Sequence, residues 1–237
     1  MRFFKFIILG FLLGSSLTAA ARGSSGGASI GGGNSSLALG LIYMSPTQDD
    51  LNSSISAINS GTSTSIDKLG TAYEFVGYYQ YRFMSSMYAI QIRPSYFTQS
   101  SSGSGYDFKL TGLTLFPIFR MYALENSFIH FFLQVGMGYG KLDGKMTGPN
   151  LGMDWSGDAY GTMAGLGAEF AFTASQSVVI EGNVRYLSIA RSVVKSSNGI
   201  IPGFSQVGNN QELEANAADV ATSMSGIQGS LIYQFNF

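Results

Sequence analysis

Apolar and polar residues alternate along most of the chain. Near residue 180, for example, Ile180 and Val184 alternate with Glu181, Asn183 and Arg185. A period of two places the first set on one face of a β-strand and the second set on the other. The same alternation, interrupted by polar or Gly-rich segments, predicts eight strands. Their approximate ranges are 36–45, 71–83, 87–98, 107–122, 128–141, 159–173, 177–190 and 222–237.

Two of the predicted elements are less regular. Both faces of the fourth strand are partly apolar, and Pro117 lacks a backbone donor, which predicts a bulge or a local edge. Within the last connection, the Glu- and Ala-containing segment 211–221 favours a helical turn or two.

The lengths of the connections distinguish between β architectures. They run about 25, 3, 8, 5, 17, 3 and 30 residues, so long and short connections broadly alternate. Greek-key sandwiches do not show this pattern, whereas bacterial membrane barrels combine short periplasmic turns with long extracellular loops. The chain is therefore predicted to be all-β, an eight-stranded antiparallel transmembrane β-barrel.

The first residues have the pattern of a secretory signal peptide. Arg2 and Lys5 precede a short apolar run over 6–13, and Ala19 and Ala21 frame a small-residue cleavage site. The apolar run is shorter than the roughly 20 residues that a membrane-spanning helix needs. We predict a signal peptide over 1–21 with cleavage after Ala21 or Ala19, a flexible Gly/Ser leader over 22–35, and a barrel over 36–237.

Composition excludes several classes of function. Without Arg2 and Lys5, 11 of the 13 basic residues remain against 14 acidic ones, so a nucleic-acid partner has no support. The chain has no cysteine, which excludes disulfides and thiolate metal sites. No cofactor or metal site is expected.

The last strand carries outward aromatic residues at Tyr233, Phe235 and Phe237. This ending resembles the C-terminal signature of Gram-negative outer-membrane barrels, which the barrel assembly machinery recognises. Over residues 36–237 the chain resembles the small barrels of the OmpA-transmembrane, OmpX and OmpW type. The resemblance implies an outer-membrane protein, exported before insertion, monomeric, and in contact with membrane lipid, lipopolysaccharide and the assembly machinery.

Polar residues on the opposite strand face are expected to fill the narrow interior of an eight-stranded barrel. Buried charges are tolerated when they are paired and hydrogen-bonded, which predicts a closed network rather than the alternative of a polar pore. The predicted network comprises Glu74, Arg82, Arg93, Arg120, Glu169, Glu181 and Arg185, with Gln80, Gln91, Gln134 and Asn183.

His130 is the only histidine and the natural starting point for a catalytic hypothesis. Membrane lipid deacylases pair a His with a Ser two residues later, and here that position is Phe132. A nucleophile needs a base within hydrogen-bond reach. We therefore expect an inward structural histidine and no enzyme activity.

Two further sets of residues lie at the predicted membrane boundaries and beyond them. Aromatic rings favour the membrane interface, which predicts girdles formed by Tyr43, Tyr73, Tyr88, Tyr96, Tyr139, Tyr160, Tyr186, Phe83, Phe119, Phe131, Phe172, Phe235 and Phe237. The loops are acidic and could collect divalent cations or bind surface partners, through Asp49, Asp50, Asp67, Asp143, Asp154, Asp158, Glu212 and Glu214.

The functional expectation is a structural or surface-interaction role in the outer membrane. An alternative function is a small conduit for hydrophobic solutes, as in OmpW-like barrels. The evidence for this alternative is a set of apolar residues predicted to face inward: Phe116, Ile118, Phe132 and Ile232. A membrane-embedded lipid-modifying enzyme is a weaker alternative. The sequence identifies neither a ligand nor a surface partner.

Overall fold

The structure is a computed structural model that describes residues 34–62, 64–83, 87–199, 201, 203–205, 208–215 and 218–237. The predicted signal peptide and most of the predicted leader lie outside these residues. The elements are β1 Ser35–Pro46, α1 Asp49–Thr62, β2 Ala72–Arg82, β3 Tyr88–Gly103, β4 Tyr106–Glu125, β5 Ile129–Gly148, β6 Leu151–Thr173, β7 Gln176–Tyr186, β8 Ser188–Ile189, β9 Val193–Asn198, β10 Glu214–Ala215, β11 Ala218–Asp219, β12 Thr222–Ser223 and β13 Gly226–Asn236.

Eight antiparallel strands close into a barrel, as predicted. The order is β5-β4-β3-β2-β1-β13-β7-β6, and pairing of β5 with β6 completes the ring. The first and last strands meet along their whole length, from Ser36 opposite Asn236 to Pro46 opposite Gly226. Closure leaves these eight strands without a free edge along the wall.

The two strand faces follow the predicted alternation. On β7, Ile180 and Val184 are 52% and 61% exposed, whereas Glu181, Asn183 and Arg185 are at most 3% exposed. The aromatic residues predicted for the girdles point outward, and several pack edge-to-face across strands, such as Tyr43 with Tyr73 and Tyr139 with Tyr160. An outer surface of exposed aliphatic and aromatic side chains is suited to lipid.

The hairpins β3–β4 and β5–β6 extend beyond the predicted strand ends, so the predicted loops 99–106 and 143–158 were wrong. The first hairpin turns at Ser104 and Gly105, and the second at Pro149 and Asn150. On β4, β5 and β6 of these extensions the alternation continues but is inverted: inward side chains such as Leu142 and Trp155 are apolar, and outward ones such as Lys145 are charged. The extension of β3 differs, because its inward residues Gln99 and Ser101 are polar. Polar outward residues made the extensions look like loops.

Helix α1 lies where the sequence analysis predicted a polar loop, and this was a second error. Leu51, Ile55 and Ile58 follow helical spacing and are fully buried. Asp49 and Asp50 in the first turn favour the positive end of the helix dipole. The helix is too short and polar to have been recognised from composition alone, and its apolar stripe depends on packing against the barrel. It is neither long nor apolar enough to cross a membrane.

One finer prediction was wrong, and another was met only in part. The segment predicted to form a helical turn contains the antiparallel pair β10–β11, with Glu214 opposite Asp219. At Pro117 there is no bulge, since Pro117 keeps regular register opposite Ile92 and the irregularity in β4 lies between Tyr122 and Leu124. Pairing with β5 is nevertheless interrupted at Phe116 and Pro117, where the proline has no amide donor.

The inverted region forms a cap over one end of the barrel. We define the cap as α1, the hairpin extensions 99–112 and 141–158, and the described residues between 187 and 225. A single buried apolar cluster runs through it, and Leu51, Phe108, Leu142, Trp155 and Met224 are among its members. The barrel interior below the cap is called the polar lumen from here on.

Candidate functional site

The centre of the polar lumen is an ion-pair cluster built on Glu181. Its Oε1 accepts from Arg93 Nη2 at 2.8 Å and from Arg120 Nη2 at 2.6 Å, and all three side chains are at most 3% exposed. Neighbouring amides add to the cluster: Gln134 accepts from Arg120, and Gln91 accepts from the Arg93 Nε at 3.0 Å. The Nη1 atoms of Arg93 and Arg120 are buried without a hydrogen-bond partner among the described residues. Glu181 therefore cross-links β7 to β3 and β4 through the interior.

A second buried pair lies just beneath the cap. Arg185 donates to both carboxylate oxygens of Glu74. Its Nε donates to the Met224 carbonyl at 2.7 Å, and Ser95 donates to Glu74 Oε2 at 3.0 Å. Both charged side chains are essentially unexposed. The pair therefore joins the polar lumen to the underside of the cap.

Glu169 occupies the end of the lumen nearest the end of β13, without an arginine in ion-pair contact among the described residues. It accepts instead from Ser177 and Gln234, both at 2.8 Å, and from the Tyr122 hydroxyl at 3.2 Å. Neutral donors compensate its charge through hydrogen bonds. Arg82 lies apart at the rim, where it pairs with Glu125 at 2.7 Å and both side chains are about one-third exposed.

Aromatic rings line the ion pairs, and sequence reasoning did not assign them to the site. The Arg120 guanidinium lies 3.7 Å from the centre of the Phe132 ring, and Arg93 and Arg120 both lie within 6 Å of the Tyr78 ring centre. The Tyr78 hydroxyl donates to Gln234 at 2.6 Å. Tyr78, Tyr122 and Gln234 all occupy inward positions of the alternation, which is the signal that could have found them.

His130 lies in the first residues of β5, near the rim that carries Arg82. It is partly exposed, and its register neighbours are Glu125 on β4 and Glu169 on β6. The centre of its ring lies 6.2 Å from the centre of the Tyr122 ring, and the two rings are arranged edge to face. In the described part of the chain no serine hydroxyl is hydrogen-bonded to it. Nor does that part contain a group of three or more side chains suited to holding a metal ion.

Hydrogen bonds between distant segments close the cap. Gln48, at the start of α1, donates to Gln99 Oε1 at 2.9 Å and to the Ser223 carbonyl at 2.7 Å, and accepts from the Ser223 amide at 3.1 Å. Asp50 accepts from the Ala221 amide at 2.9 Å. The first and last long connections are thus bonded to each other above the lumen.

No protein-family model and no curated protein sequence matches the chain. Solved structures do match in fold. The outer membrane protein OprG from Pseudomonas aeruginosa is 12% identical with a TM-score of 0.50, over 86% of this chain and 96% of that one. Ail, the attachment invasion locus protein of Yersinia pestis, is 17% identical with a TM-score of 0.43, over 86% and 99%. With its closed ring of eight antiparallel strands and its apolar outer surface, this chain has the fold of the small outer-membrane β-barrels.

Proposed function

We propose that the chain is an integral outer-membrane protein with a non-conducting barrel, and that it acts as a structural or surface-interaction protein. The observation that carries this proposal is closure of the interior at two levels. Ion pairs centred on Glu181 cross the polar lumen, and α1 with the last connection covers its upper end. A water column would have to displace buried, hydrogen-bonded charges, which is energetically costly.

The proposal also assigns an orientation. In barrels of this kind the short turns lie on the periplasmic side and the long connections outside. The cap would therefore face the cell exterior, with its outward charged residues in water. This placement makes the cap the surface available to other molecules. Export through the predicted signal peptide and recognition of Tyr233, Phe235 and Phe237 by the assembly machinery belong to the same proposal.

Planar-bilayer recording tests whether the barrel is closed, and a variant without the helix distinguishes closure by the lumen ion pairs from closure by the cap. One variant would replace residues 48–70 with a short Gly/Ser turn, which is feasible because Met44 and Ala72 are register partners. We expect no steady single-channel current from the native protein. We also expect none from the variant, because the Glu181 cluster still crosses the lumen. Steady currents from the native protein would contradict the proposal.

A conduit for hydrophobic solutes is the second candidate. It is favoured by the continuous apolar cluster, which includes Phe116 and Ile118 and extends from the lumen into the cap. Because these side chains are packed, passage would require α1 to move. Uptake of a hydrophobic fluorophore by liposomes distinguishes this candidate: faster uptake with native protein than with empty liposomes would favour it.

A further inference from the structure

One asparagine of the cap differs chemically from all the others in the chain. Asn198 is followed by Gly199, and this is the only Asn-Gly pair in the sequence. The backbone nitrogen of the residue after an asparagine can attack the carbonyl carbon of the asparagine side chain. A glycine at that position has no Cβ to shield its nitrogen. The pair is therefore the place in the chain where this attack is least hindered.

The fold requires the glycine and leaves the asparagine in water. Asn198 ends β9 in register with Gly152 of β6, and both Asn198 and Gly199 are exposed. Gly199 turns the chain with a φ of 81°, which residues with a Cβ adopt only with strain. A Cβ at Gly199 would also lie 3.1 Å from the Leu151 Cβ and 3.3 Å from the Asn150 carbonyl oxygen. The turn against the tip of the β5–β6 hairpin thus places the Asn-Gly pair at the surface of the cap.

Several other asparagines have side chains that are held by hydrogen bonds. Asn126 accepts from two backbone amides through its Oδ1, and Asn209 accepts from the Ser197 amide at 3.3 Å. Among the described residues, no hydrogen bond holds the Asn198 side chain. Its carbonyl carbon can therefore rotate toward the Gly199 nitrogen without the loss of a contact.

We propose that Asn198 is a site of deamidation, at which the chain modifies itself. The Gly199 nitrogen gives up its proton and bonds to the side-chain carbonyl carbon of Asn198. The bond from that carbon to the amide nitrogen breaks, and ammonia carries the proton away. Water then opens the cyclic imide at either of its carbonyl carbons, which yields aspartate or isoaspartate. The rate rises with pH because the attacking nitrogen must lose its proton.

The modification changes both the charge and the backbone of this part of the cap. Either product places a new carboxylate at the exposed end of β9. Isoaspartate also adds a methylene group to the backbone, which displaces Gly199 from the hairpin tip and disturbs the pairing of Asn198 with Gly152. Lys195, which lies in the same strand and pairs with Asp143 at 2.7 Å, is then held less firmly. Formation of isoaspartate therefore loosens β9 from β6.

Ageing of the purified mature protein in micelles at mildly alkaline pH tests the site, with an unaged sample as the reference. Mass spectrometry of tryptic peptides locates the mass gain that replaces an amide with an acid, and isoaspartyl methyltransferase identifies isoaspartate. We expect Asn198 to be converted roughly ten-fold faster than Asn209, because the residue after Asn209 carries a side chain. Asn209 lies in the same tryptic peptide and is the internal control. Asn198→Gln should show no gain at this position, since its longer side chain would have to close a larger ring.

Heat-modifiable migration on gels establishes that the aged protein and the variants are folded. Equal conversion of Asn198 and Asn209, or conversion of Asn198 only in protein unfolded by urea, would overturn the proposal. A rate of conversion that did not rise with pH would contradict it as well.

Trypsin cleavage after Lys195 tests the effect on the strand. The aged protein should be cleaved faster than Asn198→Asp, which has the charge without the added methylene group. Equal cleavage of the two would overturn the loosening of β9. These measurements do not depend on conductance, so their result and that of the bilayer recording can be judged separately.

Discussion

The polar lumen and the cap are built from the same strands with opposite face assignments. On β5, the membrane section directs Val135 outward and Gln134 inward, whereas the cap section directs Lys141 outward and Leu142 inward. The change coincides with the Tyr139–Tyr160 pair. The backbone pattern is continuous through this point, so the inversion reflects a change of solvent from lipid to water.

The two regions also differ in how their interiors are stabilised. The lumen depends on a few ion pairs and hydrogen bonds, and loss of one partner leaves the other charge buried without compensation. The cap depends on distributed apolar packing, as the core of a water-soluble domain does. Damage to the lumen should therefore destabilise the whole barrel, whereas damage to the cap should remain local.

Glu181→Gln should have the largest effect, because it leaves Arg93 and Arg120 without their shared carboxylate. Breaking a buried ion pair typically costs about 3–5 kcal/mol. We expect a clearly lower urea midpoint for unfolding in micelles. The matched control is Asp154→Asn, which removes an exposed pair with Lys145 and should cost at most about 1 kcal/mol. Equal midpoints for the two variants would remove the distinction between lumen and surface charges.

Ile55→Ala tests the cap and should have a smaller, local effect. Truncating a fully buried aliphatic residue costs about 2–5 kcal/mol where the neighbours cannot relax. We expect α1 to open more often, which would release the Leu69 backbone from Asn52 and speed trypsin cleavage after the exposed Lys68, while the urea midpoint of the barrel stays near the native value. Ala57, which is exposed on the same helix, provides the control as Ala57→Gly. A fall in the barrel midpoint equal to that of Glu181→Gln would show that the regions unfold together.

Much of the membrane section could be predicted from the sequence, because one strand face meets lipid and the other meets the polar lumen. The alternation of apolar and polar residues therefore shows which side chains are buried. The face assignments of Glu181, Arg120 and Arg93 follow directly from period two. Their pairing does not, because it depends on which strands face each other across the barrel. The cap was missed for a different reason: it inverts the rule that apolar residues face outward, so Asp143 and Lys145 gave the appearance of a loop.

Helix α1 illustrates the same limit. Its propensity is modest and its sequence is rich in Ser and Asn, which favour turns. Only the spacing of Leu51, Ile55 and Ile58 indicates a helix, and three residues are weak evidence without the surface that they cover. They belong to a buried cluster whose other members include Tyr106, Met146 and Trp155, all in segments predicted to be loops.

Cysteine scanning along β5 tests the inversion itself, with the smallest disturbance to the fold. The chain has no cysteine, so each introduced thiol would be the only one present. At outward positions the substitutions remove no buried contact, so the urea midpoint should change little. A lipid-soluble maleimide should label cysteines at 133, 135 and 137, and a membrane-impermeant reagent should label those at 141, 143 and 145.

The reagent preference should reverse at position 139, because Tyr139 lies at the level where the outer face of β5 passes from lipid to water. Inward positions 134 and 142 provide internal controls, since Gln134 and Leu142 are buried and should react slowly with both reagents in the folded protein. Labelling of 133 to 145 by the impermeant reagent alone would mean that β5 does not enter the membrane. A preference that changed well below or above residue 139 would move the boundary between the lipid-facing section of β5 and its cap section.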